Sequence, residues 1–395
     1  MKPQELKPGI RCVGAVDWDR RLFDELIPLP HGTSYNAYFV RGSEKTVLID
    51  TVDPPMWHVL KANLESLGNP HIDYVVCHHA EQDHSGCIPQ VLELHPETIV
   101  LCTPKCKEML ASHLGVPEAR VREVANDEVV ELGGKSLRFI HSPWVHWPET
   151  MMTYIAEDKL LFSCDFLGSH LATSNLYSSS EDSALQSAKR YYAEIMMPFR
   201  PMVKRHLATL RKLSIDTIAP SHGPIHDDPE MILSAYEGWT SDTVANEVIL
   251  PFVSMHGSTK LMVDYFTSAL IERGVSVKRY DLARSDIGEL AMSLVDAGTV
   301  VLGTPTVLGG PHPLAVYAAY LMGALRPKTK FATVIGSFGW GGRAVEKVAA
   351  MIGDIGLELL PPVLAQGLPG EADYAALDNL AGTIAEKHTG LNKPA

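Results

Sequence analysis

His79, Glu81, Asp83 and His84 place two imidazoles and two carboxylates within an H-x-E-x-D-H run. Such groups crowded together at neutral pH need a compensating positive charge, and a pair of metal ions supplies it. Glu81 carries the sharper point. Imidazoles alone suit zinc, whereas a carboxylate in place of one imidazole moves a site towards harder, redox-active iron or manganese. The bland alternative is a solvated acidic loop with stray histidines, a standing risk with any short motif. Three further residues weigh against it. His146 follows Ser142-Pro143-Trp144-Val145, Asp165 closes the apolar run Leu160 to Cys164, and His226 ends Pro220-Ser221-His222-Gly223-Pro224-Ile225-His226. Singly, each reads as a capping, turn or surface residue. Together with the first cluster they give four His, two Asp and one Glu, enough for two metals sharing one carboxylate.

These groups sit where elements end. Asp73 to Cys77, Leu137 to His141, Leu160 to Cys164 and Asp216 to Ala219 read as buried strands, and ligands gather at the carboxyl ends of such strands. Hairpin-like pairs, as in Met152 to Cys164, lie among helical patterns, which predicts an αββα sheet sandwich flanked by helices over residues 1–247. The pattern changes at about Asn246. From Val248 onward, five strand and helix pairs alternate, predicting a doubly wound five-stranded parallel sheet over residues 248–395.

Length agrees with two domains, since 395 residues exceed the usual size of one core. A net charge of −13 argues against nucleic acid or an anionic membrane surface as the main partner. No apolar run is long enough to span a bilayer, the N-terminus has no signal-peptide core, and the six cysteines never form C-x-x-C. A cytoplasmic protein with reduced cysteines is the expectation. Cys102 and Cys106 read as structural rather than as a metal pair, and His78, His222, His31 and His141 are also assigned structural places, His222 with the option of orienting a ligand.

A second constellation lies in the alternating half. Ser254, Met255, His256, Gly257, Ser258 and Thr259 follow its first strand and open a helix, where hydroxyls and free N–H groups make a phosphate site. Taken alone this is equally a helix-capping turn. Two glycine-bounded loops follow the third and fourth strands: Thr304, Pro305, Thr306, Val307 and Leu308 in one, Ser337, Phe338, Gly339 and Trp340 in the other. Glycine permits close approach to a flat ligand, and Trp340 offers a stacking face. Gly341 and Gly342, which also start a helix, have a packing alternative.

The order H-x-E-x-D-H, then His, Asp and His at strand ends, resembles the iron-binding branch of the metallo-β-lactamase superfamily, whose zinc hydrolases have His where Glu81 stands. The three loops resemble those of flavodoxin. The whole chain resembles the flavodiiron proteins (A-type flavoproteins). That resemblance implies that His79, Glu81 and His146 bind the iron nearer the flavin, Asp83, His84 and His226 bind the other, and Asp165 bridges. It assigns Ser254 to Thr259 to the FMN phosphate and Thr304 to Leu308 and Ser337 to Trp340 to the ring system, and it places a tyrosine near the diiron pocket, for which Tyr192 is taken over its neighbour Tyr191. Many members have His after the equivalent of Phe23, and Asp24 stands there instead. The family reduces dioxygen to water, nitric oxide to nitrous oxide, or both, with a head-to-tail homodimer or homotetramer bringing one copy's flavin to another's irons. Without a C-x-x-C pair there is no rubredoxin module, so an external donor, rubredoxin or a reduced deazaflavin, is expected. Two other classes compete: a zinc-type hydrolase fused to an electron-carrier domain, which Glu81 opposes, and a flavodoxin-like shuttle with a degenerate first domain, which the complete ligand set opposes.

Overall fold

The computed structural model describes residues 2–341, 343–352 and 356–391, so Gly342 lies outside the described residues. The chain divides into two compact units, Met1–Thr240 and Ser241–Ala395.

The first unit is built on two sheets. One runs in the order Gln4–Lys7, Ile10–Cys12, Tyr38–Arg41, Thr46–Ile49, Tyr74–Val76, Ile99–Cys102, Val121–Glu123, antiparallel at first and parallel from Thr46–Ile49 onward. The other runs Val129–Glu131, Ser136–His141, Met151–Ile155, Leu160–Cys164, Thr217–Pro220, with only its last pair parallel. Period-two alternation explains the layering. Val47, Ile49, Val76 and Leu101 face the second sheet, meeting Leu137, Phe139, Leu160 and Phe162. Their neighbours Leu48, Val75 and Val100 face the other way, onto helical residues Leu60, Leu64, Val91 and Leu110. Strands apolar on both faces are covered on both faces, hence the expected αββα sandwich.

The second unit has the parallel order Ser276–Asp281, Ala245–Phe252, Ala297–Val307, Phe331–Phe338, with Glu358–Leu359 and Val363–Gln366 both pairing at the far edge. Helices Ser258–Glu272, Ile287–Leu294, Pro313–Leu325, Ala344–Ile352 and Glu371–Thr389 follow the strands. This is the doubly wound order in which ligands bind where strand order reverses. Its first strand begins at Ala245 rather than Val248, because residues 245–247 pair with the sheet but carry exposed or half-exposed side chains that an apolar pattern does not register. The expected boundary at 247/248 therefore falls inside a strand.

All six cysteines are free thiols, and five are buried, Cys77, Cys87, Cys102 and Cys106 within one core cluster. Among the described residues no helix is long and apolar enough to cross a membrane.

Candidate metal centre and flavin cleft

Four strand ends of the first unit converge. His79 and Glu81 lie in the loop after Tyr74–Val76, and Asp83 and His84 on the one-turn helix Gln82–Ser85 that follows. Ser85 ties that turn down, its hydroxyl donating to the carbonyls of Ala80 and Glu81 at 2.7 and 2.9 Å. His146 comes from the loop after Ser136–His141, Asp165 directly follows Leu160–Cys164, and His222 follows Thr217–Pro220.

Two clusters form around one carboxylate. In the first, His79 Nε2 lies 3.0 Å from Glu81 Oε2, His146 Nε2 lies 3.3 Å from the same oxygen, and both imidazoles lie 3.5 Å from Asp165 Oδ2. In the second, His84 Nε2 lies 3.3 Å from Asp83 Oδ1 and His222 Nε2 lies 3.2 Å from Asp83 Oδ2. Asp165 Oδ1 stands 3.0 Å from His84 Nε2 and 3.3 Å from His222 Nε2. Asp165 thus turns one oxygen to each cluster.

The donor atoms fit metal ions better than they fit one another. Both oxygens of Asp83 and of Asp165, and both ring nitrogens of His84, are buried without a hydrogen bond, although short separations surround them. Groups this close but misaligned for proton sharing point at a common centre. An ion about 2.1 Å from each donor would hold neighbouring donors roughly 3.0 to 3.4 Å apart, the spacing seen here. Outer nitrogens are partly spoken for: His79 Nδ1–H donates to Glu149 Oε1 at 2.7 Å and His222 Nδ1–H to the Ser34 carbonyl at 2.6 Å, which turns each Nε2 lone pair towards the cluster.

Electrostatics agree. Burial pushes Asp165 towards its neutral form, yet the imidazoles of His84, His146 and His222 prevail and hold it well below the usual carboxylate range. Glu81 is lowered in the same way against its own burial, by His146 and His79. Burial disfavours protonated His222, but Asp165 and Asp83 raise it to about 10. A cation at the centre serves these carboxylates equally and displaces the imidazole protons.

Two of the expected residues, His226 and Tyr192, lie away from the clusters. His226 is not in either cluster. Its Nε2–H donates to the Leu167 carbonyl at 2.8 Å and its Nδ1 meets Ser178 Oγ at 3.2 Å. Its backbone forms a two-way bridge with Ile218, which carries it back alongside the strand, and burial lowers its pKa with no cluster carboxylate among the causes. His222 takes the place. It is two residues past the strand end, and Gly223, at φ +79°, turns the chain so closely on Ser169 that a Cβ would sit 2.1 Å from its Oγ. The position nearest the strand end is the signal that favours His222. Likewise Tyr192 packs on Tyr236 and Trp239, with its hydroxyl donating to the Trp239 carbonyl at 3.4 Å. Tyr191, one helical step earlier, packs on His170 and His222 instead.

His78 faces the sheets as expected, bound by Asp50 on one nitrogen and Thr153 on the other at 2.7 Å each. Glu149 and His170 carry no motif and were not anticipated. His170 Nδ1 bonds Thr33 Oγ1 at 2.9 Å, its Nε2 is buried and unpaired, and its ring lies against Phe23, Tyr191 and His222. Asp24, next to Phe23 and at φ +51°, has its pKa raised by burial and then by the nearby charges of Glu81 and Asp83.

In the second unit a cleft is lined by Ser254, Met255, His256, Ser258, Thr259, Pro305, Thr306, Ser337, Phe338, Gly339 and Gly367. All three expected loops contribute, and Gly367 is an addition from the end of Val363–Gln366. Gly257, at φ +95°, caps Ser258–Glu272 without a side-chain hydrogen bond, leaving the Ser258 and Thr259 N–H groups to a phosphate, while the Lys260 N–H donates to Ser254 Oγ at 3.2 Å. Thr259 Oγ1 meets Ser337 Oγ at 3.0 Å, joining the first and third loops. Thr304 is occupied otherwise, donating to the Pro305 carbonyl and accepting from His312 N. Val307 pairs with Gly310 in a hairpin, and Leu308 and Trp340 project from the surface at 96% and 84% exposure.

Comparison with known proteins agrees with this assembly. The family model "ODP family beta lactamase" matches residues 33–223. The chain is 35% identical over 395 residues to a nitric oxide reductase of Moorella thermoacetica, covering 98% of this chain and 99% of that one. It superposes on the rubredoxin oxygen:oxidoreductase of Desulfovibrio gigas with a TM-score of 0.95 at 29% identity, covering 98% and 99% of the two chains. On the flavodiiron protein of Giardia intestinalis the TM-score is 0.93 at 27% identity, with 99% and 97% covered. Two metal clusters sharing Asp165 and a flavodoxin-like cleft on one chain, with relatives matched end to end, place it in the flavodiiron protein family of oxidoreductases.

Proposed function

We propose that this chain reduces dioxygen to water, nitric oxide to nitrous oxide, or both, using two irons and FMN. The observation that carries the reading is the shared carboxylate: Asp165 sends one unbonded oxygen to each of two His-and-carboxylate clusters, one of which contains Glu81. When bound, the iron pair supplies open positions and electrons to a small oxidised molecule, and FMN supplies the reducing equivalents.

The chain's own residues set the conditions. His79, Glu81, His146 and Asp165 would hold one ion, and Asp83, His84 and His222, with the other oxygen of Asp165, would hold the second. Burial holds the Tyr191 phenol well above its ordinary pKa, so it stays protonated, with its ring packed on His170 and His222. The Ser258 end of its helix would hold the FMN phosphate, and Pro305, Thr306, Ser337 and Phe338, which line the same cleft, would flank the ring. Rubredoxin is the donor favoured, because the Desulfovibrio gigas relative bears it in its name, with a reduced deazaflavin as the other class. A head-to-tail homodimer or homotetramer is the assembly proposed.

The test is anaerobic consumption of each gas by purified protein given rubredoxin or a chemical reductant, with metal and flavin analysis of the same sample. Two irons and one FMN per chain with gas turnover are expected. Zinc in place of iron, with no turnover of either gas, refutes the proposal in favour of a hydrolase.

A further inference from the structure

The two clusters offer similar donors: each has two imidazoles and one carboxylate residue of its own, Glu81 in one and Asp83 in the other, with Asp165 near both. A larger difference lies behind the ligands. We infer that Glu149 makes the positions unequal, strengthening His79 as a ligand so that the ion held by His79, Glu81 and His146 binds more tightly than the ion held by Asp83, His84 and His222. This rests on the two-iron reading above.

The geometry behind the imidazoles differs sharply. Glu149 is fully buried, and its Oε1 takes both the His79 Nδ1–H at 2.7 Å and the Ala80 N–H at 3.0 Å. Its Oε2 is buried with no partner at all. A carboxylate with one bare oxygen in the interior is costly unless positive charge lies close by. Here the charge it can serve lies beyond the imidazole ring, at Nε2. Thr103 fixes the segment by donating from its hydroxyl to the Glu149 carbonyl at 2.8 Å. In the other cluster His222 donates only to a neutral carbonyl, that of Ser34, and His84 Nδ1 is buried with nothing to donate to or accept from. A carboxylate behind an imidazole raises the basicity of the ligating nitrogen more than a carbonyl does, and an imidazole with no such partner gains nothing. Glu149 is a positioning residue: it touches neither substrate nor metal and acts through His79.

The test uses full-length protein depleted of iron with its flavin retained, titrated anaerobically with ferrous iron against a competing chelator. Wild type should fill in two resolved steps. Glu149→Gln keeps an acceptor for Ala80 and His79 but removes the charge, and should weaken the tighter step by about 10- to 100-fold while leaving the weaker one in place. A purely structural role would weaken both steps together. Mössbauer spectra of wild type carrying one iron per chain need no variant: one quadrupole doublet is expected. Two doublets of equal weight at half loading, or an E149Q profile matching wild type, overturn the inference while the two-iron reading stands. Fewer than two irons at saturation overturns both.

Discussion

Replacing His222 and His226 one at a time separates the structural assignment from the one that sequence pattern favours. His222→Ala removes one of the three residues that belong to the second cluster alone, and its Nε2 lies 3.2 and 3.3 Å from Asp83 and Asp165. Loss of an outer partner of a metal ligand costs roughly 10- to 100-fold in affinity, so loss of a ligand itself should cost at least about 100-fold. The variant should be isolated with close to one iron per chain. His226→Ala removes two hydrogen bonds from a buried ring and leaves the Leu167 carbonyl unpaired. That costs about 1–3 kcal/mol of stability. For a unit of this size, Met1–Thr240, each kcal/mol lowers Tm by roughly 2–4 °C, so a fall of about 2–12 °C is expected with two irons retained. Elemental analysis and thermal melts of both variants decide the matter. If H226A loses an iron while H222A keeps two, the placement of both residues argued here is wrong.

Asp165→Ala should leave FMN bound, strip the iron pair and abolish reduction of both gases; flavin absorbance, metal content and gas electrodes give the three readings. Tyr191→Phe should lower turnover by roughly 100-fold, as loss of a proton donor does, with iron content unchanged. Tyr192→Phe, which loses the long bond to the Trp239 carbonyl, should leave turnover intact and cost about 1 kcal/mol in a melt. Thr259→Val breaks the contact with Ser337 and should weaken FMN roughly tenfold in a fluorescence titration, again at constant iron. Iron affinity should fall as pH is lowered from about 8 to about 6. The sign follows from His79, His84, His146 and His222, whose raised pKa values mean that protons compete for the ligating nitrogens and compete harder as pH falls. Metal competition titrations at the two pH values check this, and tighter binding at the lower pH would contradict it.

Six of the seven residues in the two clusters were legible in the chain, because a buried strand announces itself by its apolar run and such groups stand where the runs stop. Glu81, Asp83 and His84 follow Tyr74–Val76, and Asp165 follows Leu160–Cys164 without a gap. The same rule, applied strictly, favours His222 over His226. What pattern alone does not show is that the chain turns at Gly223 and then bridges back to Ile218, which removes His226 from the strand end it seems to share in sequence. Tyr191 and Tyr192 differ for a related reason. Consecutive helical residues point about 100° apart, and here the helix Ala184–Tyr191 also passes into a wider π turn over Tyr192–Met196, so sequence periodicity does not fix which ring faces the cluster.

The groups that orient the ligands were not legible at all, and the cause is physical rather than statistical. A ligand must sit at a strand end, which ties it to a local pattern. A hydrogen-bond partner behind it need only bring one oxygen to one place, and any segment of the fold can do that. Glu149 reaches His79 across 70 residues, Thr33 reaches His170 across 137, and Ser34 reaches His222 across 188. Each is an ordinary residue in its own stretch of chain. The omission has a consequence for the proposed mechanism, since the seven cluster residues by themselves give each position two imidazoles and a carboxylate of its own. Only when the interior is assembled does one imidazole acquire a buried carboxylate behind it while His84 in the other cluster acquires nothing. On the proposed reading, the cluster residues favour which metals bind, and the partners behind them make the two positions unlike.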